Sequence, residues 1–282
     1  MREVDTKQIT ETVAQLCMDA NYELPNDVVS ALQAARQNEV SDVGKAVLDE
    51  IFENLKIAKD EKLPLCQDCG QAVLIIELGQ DVRLTGGDFY AAINQGVKEG
   101  YQDGYLRKSM TYDPVFTRAN TKDNTPAVIH VDIVPGDKIK ILFCPKGGGC
   151  ENMSAIKMMS AGDGIEGVKK FVVDFVRQAS GNPCPPTVIG IGIGGTFDKC
   201  AYLAKKAVLR SPLGSSHPDE KYAQVEKDLL QQINNLGIGP MGFGGRTTAL
   251  AVHIETHPAH VAMMPVALNM NCHVARQKTV VI

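Results

Sequence analysis

The apolar positions of the first 60 residues recur at helical spacing. Ile9, Val13, Leu16 and Cys17 form one stripe, Val28, Val29 and Leu32 a second, and Val43, Val47, Leu48, Ile51 and Leu55 a third. Such spacing marks amphipathic helices that bury one face. Ser41 is placed to cap the third helix, and Pro64 closes the section. From residue 72 the period changes. Ala72 to Leu78 is a short apolar run between Gly70 and Gly79 and predicts a buried strand, after which Phe89, Ile93, Val97 and Tyr101 return to helical spacing. Ala127 to Val134 and Lys138 to Cys144 alternate polar and apolar residues across Pro135-Gly136, the pattern of a β-hairpin. Val168, Phe171, Val172, Phe175 and Val176 predict a helix, and Thr187 to Ile193 a strand rich in β-branched residues. Ala201 to Leu209 and Tyr222 to Leu236 read as helices, Ala249 to Glu255 and Val261 to Met270 as strands. This order is neither a strict βαβ alternation nor all-β. It predicts an α/β (mixed α+β) fold in which an N-terminal helical section, 1–62, runs continuously into a region of mixed sheet and helices, 63–282.

Length and charge narrow the function classes. A chain of 282 residues can bury a substantial core, as one large domain or two small ones. Lys and Arg number 29 against 33 Asp and Glu, and the net charge of -4 argues against a nonspecific grip on nucleic acid or on an acidic membrane. An anionic ligand must therefore meet a local cluster of positive groups. The N-terminus is charged from its second residue and has no apolar core of a secretory signal, and no run of ~18 apolar residues occurs, so the expected compartment is the cytoplasm. Thiols stay reduced there. The 8 cysteines are then expected to be buried fillers, nucleophiles or metal ligands rather than bridges.

Several short motifs could carry chemistry, and each has a plainer reading beside it. Cys66-Gln67-Asp68-Cys69 contains a C-x-x-C, which suits half a zinc site, a redox pair or two ligands of an iron-sulfur cluster. No second pair stands at zinc spacing, and the motif precedes a strand instead of opening a helix as in a thioredoxin. Cys184 lies among Pro183, Pro185 and Pro186, a stiff loop that either presents a ligand or simply turns around a buried thiol. Cys272, in Asn271-Cys272-His273, has the same two readings. Lys146-Gly147-Gly148-Gly149 could cradle an anion on its N–H groups or serve as a flexible turn. Gly190, Gly192 and Gly195 satisfy G-x-G-x-x-G, but the pattern begins inside a strand and lacks the acidic residue ~20 positions on, which argues against nicotinamide binding. His253, His257 and His260 form the one local crowd of histidines. Pro258 excludes a zinc-binding helix there, leaving a proton donor or substrate contact against loop histidines satisfied by backbone. Arg107, past a helix end, could clamp a carboxylate or cap that helix.

Taken in order, the segments acquire a joint meaning. Cys66-Gln67-Asp68 with Gly70, Asn120-Thr121 with Asn124-Thr125-Pro126-Ala127, Lys146 to Gly149, Cys184-Pro185-Pro186, Gly190 to Thr196, Gly239 to Gly245 and Cys272 closely resemble the class I, iron-sulfur-dependent fumarate hydratase and tartrate dehydratase family. The likeness extends to about Arg276. It implies that Cys66, Cys184 and Cys272 hold a four-iron, four-sulfur (4Fe-4S) cluster with one iron open as a Lewis acid. It further implies that Gln67, Asp68, Arg107 and Gly148 bind a C4 dicarboxylate, with Asp68 in the proton-transfer network and His260 near the substrate hydroxyl.

Two departures from that family matter. Position 69 is Cys where the family usually has Thr, and Cys69, like Cys150, is expected to be a spare thiol. Single-chain members also continue into a further region that completes the substrate site, whereas this chain stops ten residues beyond Cys272. The resemblance is therefore to an α subunit, with a separate β subunit expected in an α2β2 assembly. The expected reaction is hydration of fumarate to (S)-malate, with dehydration of L(+)-tartrate to oxaloacetate as the alternative. The competing class is a zinc-stabilised binding module built on Cys66, Cys69 and nearby histidine.

Overall fold

The computed structural model describes residues 1–282, in chain order β1 (Arg2–Asp5), α1 (Thr6–Tyr22), α2 (Asn26–Asn38), α3 (Asp42–Glu61), β2 (Gln71–Gly79), β3 (Val82–Thr85), α4 (Phe89–Asp103), β4 (Val128–Val134), β5 (Ile139–Lys146), α5 (Gly148–Glu151), β6 (Ala155–Met159), α6 (Gly164–Ala179), β7 (Thr187–Gly194), α7 (Phe197–Val208), α8 (Glu220–Asn234), β8 (Ala249–His257), β9 (Met264–Asn271) and β10 (Lys278–Val281). The expected mixture of helices and mixed sheets is observed. Two compact units share the chain: Met1–Pro25, Asn54–Gly148 and Arg276–Ile282 make the first, and Asn26–Glu53 with Gly149–Ala275 the second. The helical segment 1–62 is thus divided, α1 going to the first unit and α2 to the second. No helix is long and apolar enough to cross a membrane.

In the first unit a four-stranded sheet has the order β10-β5-β2-β4, beside a small β1-β3 pair. The hairpin expected across Pro135-Gly136 does not form. β2 lies between its two strands, parallel to β4 from Val73↔Val128 to Gly79↔Val134 and antiparallel to β5 from Gln71↔Lys146 to Leu78↔Ile139. The end of β2 threads into the turn itself, where Gly79 N–H donates to Lys138 C=O at 2.9 Å and Gln80 N–H to Val134 C=O at 2.8 Å. The reason lies in β2: Val73 to Ile76 are buried on both faces, and a strand with no solvent face gains most where both its edges are hydrogen-bonded.

Helices α1 and α4 cover this sheet. Ile9, Val13 and Cys17 meet Ile93, Val97 and Tyr101 over Leu74, Ile76, Ile139, Ile141 and Phe143. Each such aliphatic side chain contributes ~1.5–3 kcal/mol on leaving water. Asp5 caps α1 through the N–H of Lys7 at 2.8 Å, and Asp88 caps α4 through that of Ala91 at 2.7 Å.

The second unit repeats the strand plan. Its sheet order is β6-β9-β7-β8, with β7 parallel to β8 and antiparallel to β9. One face of β7 carries Ile189, Ile191 and Ile193 into a core with Val168, Val172 and Val176 of α6 and Val225, Leu229 and Ile233 of α8. The other face carries Gly190 and Gly192. A Cβ on Gly190 would stand 2.2 Å from Val208 N, and one on Gly192 2.2 Å from Cys200 C=O. These glycines let α7 lie against the strand backbone, which accounts for the G-x-G pattern without any dinucleotide.

Ser41 caps α3 as expected, accepting Gly44 N–H at 3.1 Å. Beside it the buried carboxylate of Glu39 accepts the N–H groups of Val40, Ser41, Arg246 and Thr247. The same unit buries a charged network in which Arg210 pairs with Glu226 at 2.8 Å and with Glu255 at 3.0 Å.

Candidate functional site

The structure sorts the cysteines by exposure. Cys66, Cys184 and Cys272 are partly exposed, whereas Cys17, Cys69, Cys144, Cys150 and Cys200 are buried, and no disulfide links any of them. Burial pushes the thiols of Cys17 and Cys69 up and that of Cys200 to about 11, so these three hold their protons.

In the first unit the turn Cys66 to Gly70 enters β2. Cys66 Sγ lies 3.3 Å from Gln67 Oε1 and accepts the N–H of Asp68 at 3.4 Å. Asp68 is fixed at both oxygens, Oδ1 accepting Gly70 N–H at 2.9 Å and Oδ2 accepting Gly148 N–H at 2.8 Å. The Gly148 N–H, expected to face substrate, is donated to Asp68. Gly70 has φ +75°, and a Cβ there would stand 2.5 Å from Pro145 C, so the turn closes on β5 only with glycine.

Four buried side chains hold this turn from beneath. Tyr101 Oη donates to Cys69 C=O at 2.7 Å, and Asn124 Nδ2 to Gly70 C=O at 3.1 Å. Arg276 donates from Nη2 to Asp68 C=O and from Nε to Pro145 C=O. Cys69 Sγ accepts the N–H of Arg107 at 3.1 Å and faces Cys66 C=O at 3.7 Å. Gln67 and the Arg107 side chain are exposed. The segment that carries Arg107 is braced by Asn124 Oδ1, which accepts Ser109 N–H at 2.7 Å, and by Asn120 Nδ2, which donates to Lys108 C=O at 2.9 Å.

In the second unit Cys184 enters β7 from the place in the strand plan that Cys66 holds before β2. Its φ of +53° is left-handed backbone, which costs a residue with a side chain ~1–3 kcal/mol and persists only where the surroundings impose it. Cys184 N–H donates to Gly181 C=O at 3.0 Å, and its own C=O accepts the N–H of His273 at 3.1 Å, with His273 Nδ1 at 3.0 Å. The structure thereby brings the Cys184 turn together with the residue next to Cys272.

The three crowded histidines separate. His253 is buried and neutral: Nδ1 faces Ala207 C=O at 3.1 Å, Nε2 accepts Gly214 N–H at 3.0 Å, and burial lowers its pKa to about 4. His257 and His260 are exposed, and His260 Nδ1 accepts Ala262 N–H at 3.1 Å.

No three His, Cys, Asp or Glu side chains converge as a site for a single metal ion. Cys69, needed by a zinc module, is a buried thiol already bonded to Arg107.

Residues 10–281 match the family described as fumarate hydratase (fumerase). The chain belongs to this family. A protein of Methanocaldococcus jannaschii, provisionally named L(+)-tartrate dehydratase subunit alpha, is 42% identical over 276 residues, 96% of each chain. The L(+)-tartrate dehydratase subunit alpha of Escherichia coli O157:H7 is 34% identical over 278 residues, 98% of this chain and 91% of its own. That of Escherichia coli strain UTI89 is 35% identical over 275 residues, 96% and 90% of the two chains. The fumarate hydratase family and these relatives support a hydro-lyase, and the motifs quoted for the resemblance lie within the matched span.

Motif chemistry does not single out Tyr101, Arg276 or the wiring of Cys69. Asn124, at φ +64°, had a signal: asparagine tolerates left-handed backbone, and it stands within the Asn124-Thr125-Pro126 motif. Tyr101 read as core, and Arg276 carried no signal.

Proposed function

We propose that this chain is the α subunit of an iron-sulfur hydro-lyase, with Cys66, Cys184 and Cys272 as ligands of a 4Fe-4S cluster and a C4 dicarboxylate as substrate. The observation that carries this reading is the exposure of these three cysteines beside five buried ones, since a thiol must be reachable and ionisable to take iron. The N–H that Asp68 directs at Cys66 Sγ fits a thiolate ligand as well. When bound, such a cluster supplies an iron with an open position, a Lewis acid for a hydroxyl and a carboxylate oxygen.

The protein's own groups supply the rest. Arg107 offers a planar, exposed guanidinium that binds a substrate carboxylate bidentately, with the Gln67 amide beside the first ligand. Asp68 moves the proton next to that carboxylate. Its oxygens are aimed by the N–H groups of Gly70 and Gly148, and each keeps a lone pair. His260 accepts the N–H of Ala262 at Nδ1, which leaves Nε2 to donate to the substrate hydroxyl. Removing a proton beside a carboxylate moves negative charge onto it, where the Arg107 guanidinium stabilises it.

Fumarate and (S)-malate are the first assignment, in line with the family description. L(+)-tartrate is the second, favoured by the names of the relatives. Those names also support a partner β subunit; in the proposed assembly, α2β2 in the reducing cytoplasm, that subunit completes the substrate site. The test is anaerobic reconstitution with iron and sulfide, followed by assays with and without the β chain against malate and tartrate. About four irons per chain and turnover of one acid only with the β chain are expected. A chain that takes up no iron overturns the cluster, and full turnover without a β chain overturns the two-subunit site.

A further inference from the structure

Arg276 is the only fully buried arginine in the protein, at 4% exposure. Its protein acceptors are main-chain carbonyls, those of Asp68 and Pro145, and its Nη1 is buried without any acceptor. Three partly buried cations have carboxylates: Arg210 has Glu226 and Glu255, Lys205 has Glu151, and Lys169 has Asp228. A buried guanidinium bonded only to neutral groups is a strongly unfavourable arrangement unless an anion lies near it. No carboxylate is hydrogen-bonded to Arg276, and the bond to Asp68 C=O puts the guanidinium at the turn that carries Cys66.

We infer that Arg276 is the buried counter-cation of the Cys66 turn, neutralising the negative charge that a thiolate-bound iron-sulfur cluster brings to it while holding the Asp68 carbonyl. This rests on the cluster reading proposed above. Arg276 is in this sense a positioning residue. Net charge and nearby donors set the reduction potential of such clusters, so removing the cation makes reduction, which adds negative charge, harder.

The test compares wild type, Arg276→Lys and Arg276→Gln, reconstituted anaerobically with iron and sulfide. The readings are the cluster's midpoint potential by redox titration, the rate of iron loss to a chelator, and the melting temperature of each iron-free protein. Arg276→Gln is expected to move the potential to a more negative value and to lose iron about tenfold faster, whereas Arg276→Lys keeps a potential close to wild type. Iron-free Arg276→Gln is expected to melt no lower than iron-free wild type, because the uncompensated charge is gone. Wild-type potential and iron retention in Arg276→Gln overturn the inference. So does a lysine variant as impaired as the glutamine one, or an iron-free Arg276→Gln that melts far lower, since either would make the guanidinium a structural tie. An unchanged potential with a raised KM for the dicarboxylate, measured with the β chain, would assign the anion to the substrate and likewise overturn it. A wild-type chain that takes up no iron defeats the cluster reading itself.

Discussion

The main-chain N–H of Arg107 is donated to the sulfur of Cys69 at 3.1 Å. Cys69 thereby links the segment bearing an exposed guanidinium to the turn bearing Cys66 and Asp68. A hydroxyl can accept the same N–H, so Cys69→Ser and Cys69→Thr are expected to retain iron and activity. Cys69→Val leaves the N–H without an acceptor and should cost ~1–3 kcal/mol in urea unfolding while raising KM. Iron loss in Cys69→Ser equal to that in Cys66→Ser would make Cys69 a ligand after all.

Glu39 governs acid stability in the second unit. Burial works to raise its pKa, but four backbone N–H donors outweigh this and hold the carboxyl below its usual range. Because the folded value is depressed, the stabilisation is present above the ordinary carboxylate pKa and is lost as pH falls through the folded one. Glu39→Gln should be ~1–3 kcal/mol less stable at neutral pH and lose less than wild type on acidification, as read by melting curves across that range.

His253 predicts a second pH dependence at a higher window. Its pKa falls from the ordinary 6.5 to about 4 on folding, chiefly through burial, so the neutral ring stabilises the fold above 6.5 and this is lost as pH drops towards 4. About 2 kcal/mol of stability should disappear between pH 7 and pH 5 from this group. His253→Gln should flatten that part of the profile; an unchanged slope would mean another group titrates there.

Gly192→Ala tests the meaning of the glycine pattern. The new methyl would stand 2.2 Å from Cys200 C=O and 2.6 Å from Ala204 N, both backbone atoms that cannot rotate away. A loss of ~1–3 kcal/mol or more in unfolding is expected. Titration of wild type with NADH should show no saturable binding.

The longer helices of this protein are legible because each keeps a stripe, as Ile9, Val13, Leu16 and Cys17 do along α1. Strand pairing is not legible in the same way. Alternation at 127–134 and 138–144 reports which faces are wet, while the partner was chosen by the two-sided burial of Val73 to Ile76. β1, β3, β6 and β10 have four or five residues each and sit at sheet edges or in a small pair, too short for a period to emerge. Among the candidate residues, Cys66, Asp68, Cys184 and Cys272 are visible as motifs in order. Arg276 and Tyr101 are not, since both act on main-chain carbonyls far away in sequence, and a carbonyl leaves no trace in residue identity.

The threading of the first unit has a consequence for how the protein is made. Its final piece, Arg276–Ile282, pairs β10 with β5 through Val281↔Lys140 and brings Arg276 to Asp68, across 208 positions of sequence. A ribosome therefore delivers the whole second unit, Cys184 and Cys272 included, before the Cys66 turn can be locked. Until then the bonds from Tyr101 and Asn124 are available to the turn but that from Arg276 is not, and removal of residues 276–282 would leave the turn without it.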